Sequence, residues 1–158
     1  MLNVQPNISI SVNKNKDFHS QWNGELRDFG NTNISFSPNV VAGNAINFIP
    51  VKNLQISLLS KFVGEQYMSN IDSEASKLDS YFTSDVNVTY EIKPNKVFKS
   101  IVLSGLINNV FNKEYVSNGY YYNYEDNWTD PSAVTTIEGA GYYPQATINF
   151  LLGATFKF

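Results

Sequence analysis

The stretch TINFLLGATFKF (147–158) decides how the chain is read. In steps of two, Ile148, Phe150, Leu152, Ala154, Phe156 and Phe158 fall on one face. Thr147, Asn149, Leu151, Gly153, Thr155 and Lys157 fall on the other. Side chains alternate across a strand, so a two-residue period with one apolar face marks a half-covered β-strand. The strand runs to an aromatic residue, Phe158, where chain ends commonly fray.

The same period recurs upstream. In 81–92, Phe82, Val86, Val88, Tyr90 and Ile92 oppose Tyr81, Thr83, Asp85, Asn87, Thr89 and Glu91. In 54–67, Leu54, Ile56, Leu58 and Phe62 oppose Gln55, Ser57, Lys61 and Glu65. Stretch 101–111 aligns Ile101, Leu103, Ile107 and Phe111, and 40–49 aligns Val40, Ala42, Ile46 and Phe48 with a break at Asn44. Near the start, Ile8, Ile10 and Val12 alternate with Asn7, Ser9, Ser11 and Asn13. Six strands are expected. No helical period of comparable length exists, though 70–80 could hold a helical turn.

Connections separate into two kinds. Two are short, 49–53 and 93–100, each with a proline expected to end the preceding strand. Three are long, roughly 13–33, 68–80 and 112–145, rich in Asn, Ser, Asp, Gly and Tyr. Short and long loops alternate, so an up-and-down sheet carries all its long loops at one end. Outer-membrane barrels have that asymmetry, with an apolar outward band and a polar lumen. The expected fold class is all-β: an antiparallel up-and-down transmembrane β-barrel segment with long extracellular loops and short periplasmic turns. A soluble two-sheet sandwich gives the same alternation and remains the alternative.

Composition agrees with either. The 158 residues suffice for one domain, and 15% are aromatic while only 16% are charged, against roughly 25% charged in typical soluble domains. There is no cysteine, which excludes disulfides and thiolate metal sites. A net charge of -3 without a basic tract argues against a nucleic-acid partner. No run of apolar residues reaches the length of a membrane helix, and a mean hydropathy of -0.25 suits alternating strands. The start, MLNVQPNISIS, lacks the basic and long apolar regions of a signal peptide.

At IVLSGLINNVFNKEY (101–115) the chain resembles the penultimate strand of TonB-dependent outer-membrane receptors. There an apolar strand leads into N-N-L-F-D-K-x-Y, matched here by Asn108, Asn109, Val110, Phe111, Asn112, Lys113 and Tyr115. GYYPQATINFLLGATFKF resembles the last strand of that family, and SPNVVAGNAINFIPVKNLQISLLSKFVGEQY its strand–turn–strand unit. The loop style resembles receptors of the Bacteroidota. The resemblance covers roughly 5–158 and implies about six strands of a barrel of about 22. It makes 1–158 the C-terminal part of such a receptor, a fragment without plug domain, TonB box or signal peptide. The implied function is active uptake of a scarce nutrient, with an iron–siderophore complex foremost and cobalamin, haem or glycans as other cargoes. The implied partners are outer-membrane lipid, the rest of the barrel and the plug, the TonB complex and the barrel-assembly machinery. A small self-standing outer-membrane or surface β protein, used for adhesion or structure, is the alternative.

Candidate residues follow. Phe158, Phe156 and Phe150 resemble the family's outer-membrane assembly signal, or are members of an interfacial aromatic girdle. In 117–143, Tyr120, Tyr121, Tyr122, Tyr124 and Trp128 are ligand-loop candidates, because aromatic side chains offer large contact area at low entropy cost. The same tyrosines, with Tyr142 and Tyr143, could instead be girdle residues. Glu125, Asp126 and Asp130 lack the spacing of a calcium loop, and His19 stands alone. Asp85, Asn87, Glu91, Lys61 and Asn149 are expected to line a polar lumen. No nucleophile–base pair or phosphate-cradling loop emerges, so neither catalysis nor a cofactor is expected.

Overall fold

The alternating runs form strands in a computed structural model that describes residues 1–94 and 97–158. In chain order they are β1 (Leu2–Ile10), β2 (His19–Trp22), β3 (Glu25–Asp28), β4 (Val40–Val51), β5 (Leu54–Val63), β6 (Gln66–Tyr67), β7 (Lys77–Leu78), β8 (Tyr81–Ile92), β9 (Ser100–Asn108), β10 (Val116–Asp126), β11 (Thr135–Pro144) and β12 (Asn149–Lys157). The expected helical turn in 70–80 is a short 3-10 turn, Glu74–Ser76, capped by the Ser73 side chain.

Six strands make one sheet in the order β1-β4-β5-β8-β9-β12, every neighbouring pair antiparallel. They are the six expected strands, with moved ends. The first begins at Leu2, the second and third close at Val51 and Val63, and the fifth closes at Asn108. Asn44 stands on the apolar face of β4, as expected, whereas Pro50 does not end the strand. Ile49 exchanges both backbone hydrogen bonds with Met1. Residue 50 therefore turns its backbone nitrogen toward β5, where the register shifts between Phe48 and Val51. A bulge absorbs the missing donor, one of the few places a sheet tolerates proline. Of the other short connection, Asn95 and Lys96 lie outside the described residues.

Within the strands, register places the expected apolar sets on a single face, while Val12 and Phe111 fall beyond β1 and β9, the latter past the positive-φ turn at Asn109. Leu2, Phe48 and Ile56 are successive neighbours, as are Val4, Ile46, Leu58, Val86, Ile107 and Phe150. Asn44, Ser60 and Ser84 interrupt this face in a single row, and Ser60 Oγ and Ser84 Oγ satisfy each other at 2.8 Å. The opposite face is polar. Ser57 donates to Asn47 at 2.6 Å, Gln55 to Ser57 at 3.0 Å, and Asn108 to Asn149 at 2.8 Å. Lys61, Asp85, Asn87, Glu91 and Asn149 lie on this polar face.

Aromatic residues bound the apolar face at both ends. Phe62 and Phe82 are cross-strand neighbours at the long-loop end, and Phe48, Tyr90 and Phe156 mark the other. The second set slants. Phe48 is level with Ile56 and Val88, but Tyr90 sits two residues further along; Tyr90 is level with Leu103 and Ala154, but Phe156 is again two further. Two residues rise ~6.8 Å while two strand spacings cover ~9.6 Å, so the line of rings slopes roughly 35° across the register.

No second sheet covers either face among the described residues, which removes the sandwich alternative. Ile8 (66%), Phe82 (47%) and Leu152 (82%) are exposed on the apolar side. The buried apolar residues, Val63, Met68, Ile71 and Leu78, lie at the long-loop end instead. There the loops fold into three small hairpins, β2–β3, β6–β7 and β10–β11.

Candidate functional site

The three long loops pack into one cap. The β2–β3 hairpin turns on Asn23 and Gly24, both with positive φ (53° and 79°), as a two-residue Asn-Gly turn requires. Its tip reaches the third loop. Asn23 N donates to Thr136 Oγ1 at 2.7 Å, Thr136 N donates to Asn23 Oδ1 at 2.8 Å, and Gly24 N donates to Glu125 Oε1 at 2.9 Å. The first and second loops meet through Asn33, whose N and Nδ2 donate to the two oxygens of Asp72 at 2.8 and 2.9 Å. The second and third meet at Glu138, which accepts from Ser73 and, at 2.7 Å, from Tyr121.

Asparagines at the exit of β9 set the base of the third loop. Asn109 is buried with φ at 50°. Its N donates to Asp85 Oδ1 at 2.8 Å, its Nδ2 to Lys113 O at 2.8 Å and Ala146 O at 3.2 Å, and its Oδ1 accepts from Lys113 N at 2.9 Å. Through its backbone N and its side chain, this one residue joins β8, the exit of β9 and the approach to β12. Asn112 Oδ1 accepts from Ile148 N at 3.0 Å. The motif residues divide accordingly: Asn108 ties β9 to β12, Asn109 and Asn112 clamp the turn, Phe111 is exposed, and Tyr115 stacks on Tyr81 at 4.5 Å between ring centroids.

Beside that stack lies a cavity of about 560 Å³ between the second and third loops. Tyr81, Tyr115 and Tyr142 provide aromatic wall, and Lys77, Lys113, Asp79 and Glu114 provide charges of both signs. Lys77 is held by Glu65 at 3.1 Å, and that hydrogen bond raises its pKa. The volume is that of a small-molecule site.

The ligand-loop candidates separate. They lie on a β-hairpin, β10–β11, so alternate residues face opposite ways. Tyr120, Tyr122 and Tyr124 share one face with Tyr143, and Trp128 continues the line by stacking on Tyr124 at 6.3 Å. Tyr121 faces the other way, toward the loops, where burial first and the Glu138 hydrogen bond second push its pKa up to about 12. Glu125, Asp126 and Asp130 do not converge on a point. Glu125 holds Gly24, Asp126 accepts from Trp128 N, Thr129 N and Thr129 Oγ1, and Asp130 caps Ser132. The Thr129 hydroxyl is the main cause that lowers the Asp126 pKa. His19 Nε2 lies 4.0 Å from Asp28 within the β2–β3 hairpin. At the other end of the sheet, Phe98 packs against Phe156 (5.4 Å) and Phe158 (5.0 Å), while Phe150 is exposed on the apolar face.

Sequence reasoning overlooked Asn23, Gly24, Asn33, Asp72 and Glu138. The Asn-Gly pair between HSQW and ELRD was a legible hairpin signal. Asp72 and Glu138 had none, since their partners are 39 and 65 residues distant.

No protein-family model and no curated protein matches the chain. Among solved structures it is similar to the siderophore receptor PiuA from Acinetobacter baumannii, with a TM-score of 0.58 and 14% identity. The likeness covers 98% of this chain and 20% of that one, so the chain spans about a fifth of that receptor's length. At this identity the likeness is one of fold.

Proposed function

We propose that the six-stranded sheet is a set of adjoining staves in a larger outer-membrane barrel, and that the whole protein is a TonB-dependent receptor importing an iron–siderophore complex. The observation that carries the proposal is the apolar face bounded by two aromatic rows. Phe82 and Tyr90 are eight residues apart on one face of β8, about 27 Å along the strand. Inclined by the roughly 35° that levels the lower row, β8 spans about 22 Å, close to the ~25 Å apolar band of outer-membrane barrels. Their strands tilt by about 35–45°, the same range.

The remaining parts follow from this premise. β1 and β12 each pair on one side only among the described residues, so the barrel takes further strands at both edges. A self-standing barrel of six strands would be narrower than the usual minimum of about eight. The polar face turns to the lumen and the plug, and TonB acts through that plug. Phe158 and Phe156 belong to the lower aromatic row and to the signal read by the barrel-assembly machinery. The cavity beside Tyr81 and Tyr115 and the folded cap form part of the outer mouth through which cargo enters.

The test is uptake of radiolabelled ferric complexes by cells with and without the gene, and with and without TonB. Loss of uptake of one chelate class in both mutants is expected. Full uptake of catecholate, hydroxamate and carboxylate chelates in the gene deletion would remove the cargo assignment. Deleting Phe158 from the full-length protein is expected to lower its level in the outer membrane, measured by fractionation and immunoblot.

A further inference from the structure

We infer that the cavity between the second and third loops binds a short zwitterionic peptide, its ammonium end held by Asp79 and Glu114 and its carboxylate end by Lys113. The inference concerns the ligand of this cavity and does not rest on the iron reading.

The cavity lies where β8 and β9 stop pairing. Their ladder runs from Ile92–Ile101 to Val86–Ile107, and just above it Val110 N donates to Ser84 O at 2.8 Å. There Asn109 and Asn112, both with φ at 50°, turn the chain. Residues 77–81 and 113–116 then become two sides of the cavity, joined by the Tyr81–Tyr115 stack.

The charges on those sides differ from others in the cap. Several cap carboxylates hold loops: Asp72 binds Asn33, Glu125 binds Gly24, Glu138 binds Tyr121 and Ser73, and Asp126 binds its own turn. Lys77 is taken by Glu65. Among the described residues, the side chains of Asp79, Glu114 and Lys113 enter no ion pair and no hydrogen bond; Lys113 meets Asn109 through its backbone alone. The cavity therefore offers uncommitted charges of both signs. An anion alone would meet two carboxylates, and a cation alone would meet Lys113. A ligand carrying both charges, held apart, satisfies all three groups.

Between the charges the wall is neutral and largely aromatic, with Tyr81, Tyr115 and Tyr142. Burial first, and Asp85 second, raise the Tyr115 pKa, which keeps that phenol uncharged. Such a wall takes peptide planes and apolar or aromatic side chains, while its hydroxyls remain free to hydrogen-bond. The volume of about 560 Å³ is several times that of one amino acid, so a peptide of a few residues fits it better than a free amino acid.

The test uses the full-length protein in detergent micelles, titrated calorimetrically with tri-tyrosine, its N-acetyl and C-amide derivatives, tri-alanine and tyrosine. Tri-tyrosine is expected to bind about tenfold or more tighter than tyrosine, and tighter than tri-alanine. Blocking either end should weaken it about three- to tenfold. Variants then assign the ends. Lys113→Gln should weaken tri-tyrosine and its N-acetyl derivative about three- to tenfold, yet leave the C-amide within about twofold. Asp79→Asn combined with Glu114→Gln should weaken tri-tyrosine and the C-amide, yet spare the N-acetyl derivative. Lys113→Arg keeps the charge and should bind as the unmodified protein does. Absence of tri-tyrosine binding, equal binding of free and blocked peptides, or equal losses on all three in Lys113→Gln overturns the assignment. So does displacement of tri-tyrosine by a ferric tris-catecholate, which has no ammonium, since the cavity would then belong to the iron cargo. Ferric-complex uptake measured on the same variants shows failure of the iron reading separately.

Discussion

The sheet and the cap bury residues in opposite senses. In the sheet, large apolar side chains face outward from both edge strands and from the centre, and polar side chains hydrogen-bond to each other across the other face. In the cap, Leu78, Met68 and Ile71 are inside, and the outer residues are Asn, Asp, Glu and Tyr. One chain thus carries two solvent assignments. The cap is organised as proteins are in water, with a dry centre; the sheet leaves Leu, Ile and Phe uncovered, which supports the lipid-facing role proposed for it. The boundary is the row of Phe62 and Phe82, above which the chain leaves the six-stranded sheet and begins folding on itself.

Four measurements can break or sharpen this contrast. The largest effect is expected in the cap core. Leu78 is 2% exposed, and Leu78→Ala should cost ~2–5 kcal/mol of local cap stability. Limited proteolysis should then cut within 64–80, while the thermal unfolding of the six-stranded sheet is unchanged. Loss of both together would mean that sheet and cap are a single cooperative unit.

Val86 lies midway between Phe82 and Tyr90 on the apolar face, with Asn87 beside it on the polar face. Val86→Arg should destabilise by about 2–4 kcal/mol in lipid and Asn87→Arg by much less. Reversible guanidinium unfolding in vesicles reads the difference, and equal costs would reverse or abolish the lipid-facing assignment.

At the junction, Asn109→Ala removes three side-chain hydrogen bonds and places alanine at φ 50°. A cost of roughly 1–3 kcal/mol is expected, with Asn109→Gly milder because glycine accepts that backbone. Hydrogen exchange at Lys113 and Val110 reports on the turn directly.

The smallest effect is a titration. The folded-state pKa of Tyr121 is raised to about 12 from 10.0. Its contribution to cap stability is present in full below pH 10 and is lost as the pH rises through 12. Absorbance at 295 nm should show a late tyrosine wave near pH 12 that Tyr121→Phe removes; a wave surviving that substitution belongs to another tyrosine.

Most of the sheet was legible because its information is local. A two-residue period states which side chains share a face, and a one-residue slip would exchange the faces altogether. Hence the apolar sets of 81–92 and 148–158 meet their neighbours as expected. The ends were less legible. Pro50 was read as a stop, since nothing nearby in sequence says that its nitrogen faces a bulge. The cap was largely illegible, because Asn23–Thr136 and Ser73–Glu138 join residues 113 and 65 positions apart. The aromatic cluster at 120–128 was visible as composition, yet its division into an outward row and an inward Tyr121 appears only once β10 and β11 pair.

The sequence by itself determined strand identity, the two faces of the sheet and the asymmetry of its ends, since all three follow from side-chain periodicity and loop length. Only the tertiary structure decided that the long loops form one hydrogen-bonded cap, that Asn109 holds its base, and that Tyr120 and Tyr122 lie over Gly141 and Gly139. The physical reason is distance along the chain. Alternation is dictated by each residue's own backbone, whereas a cap depends on which partners the chain brings together from more than a hundred residues away.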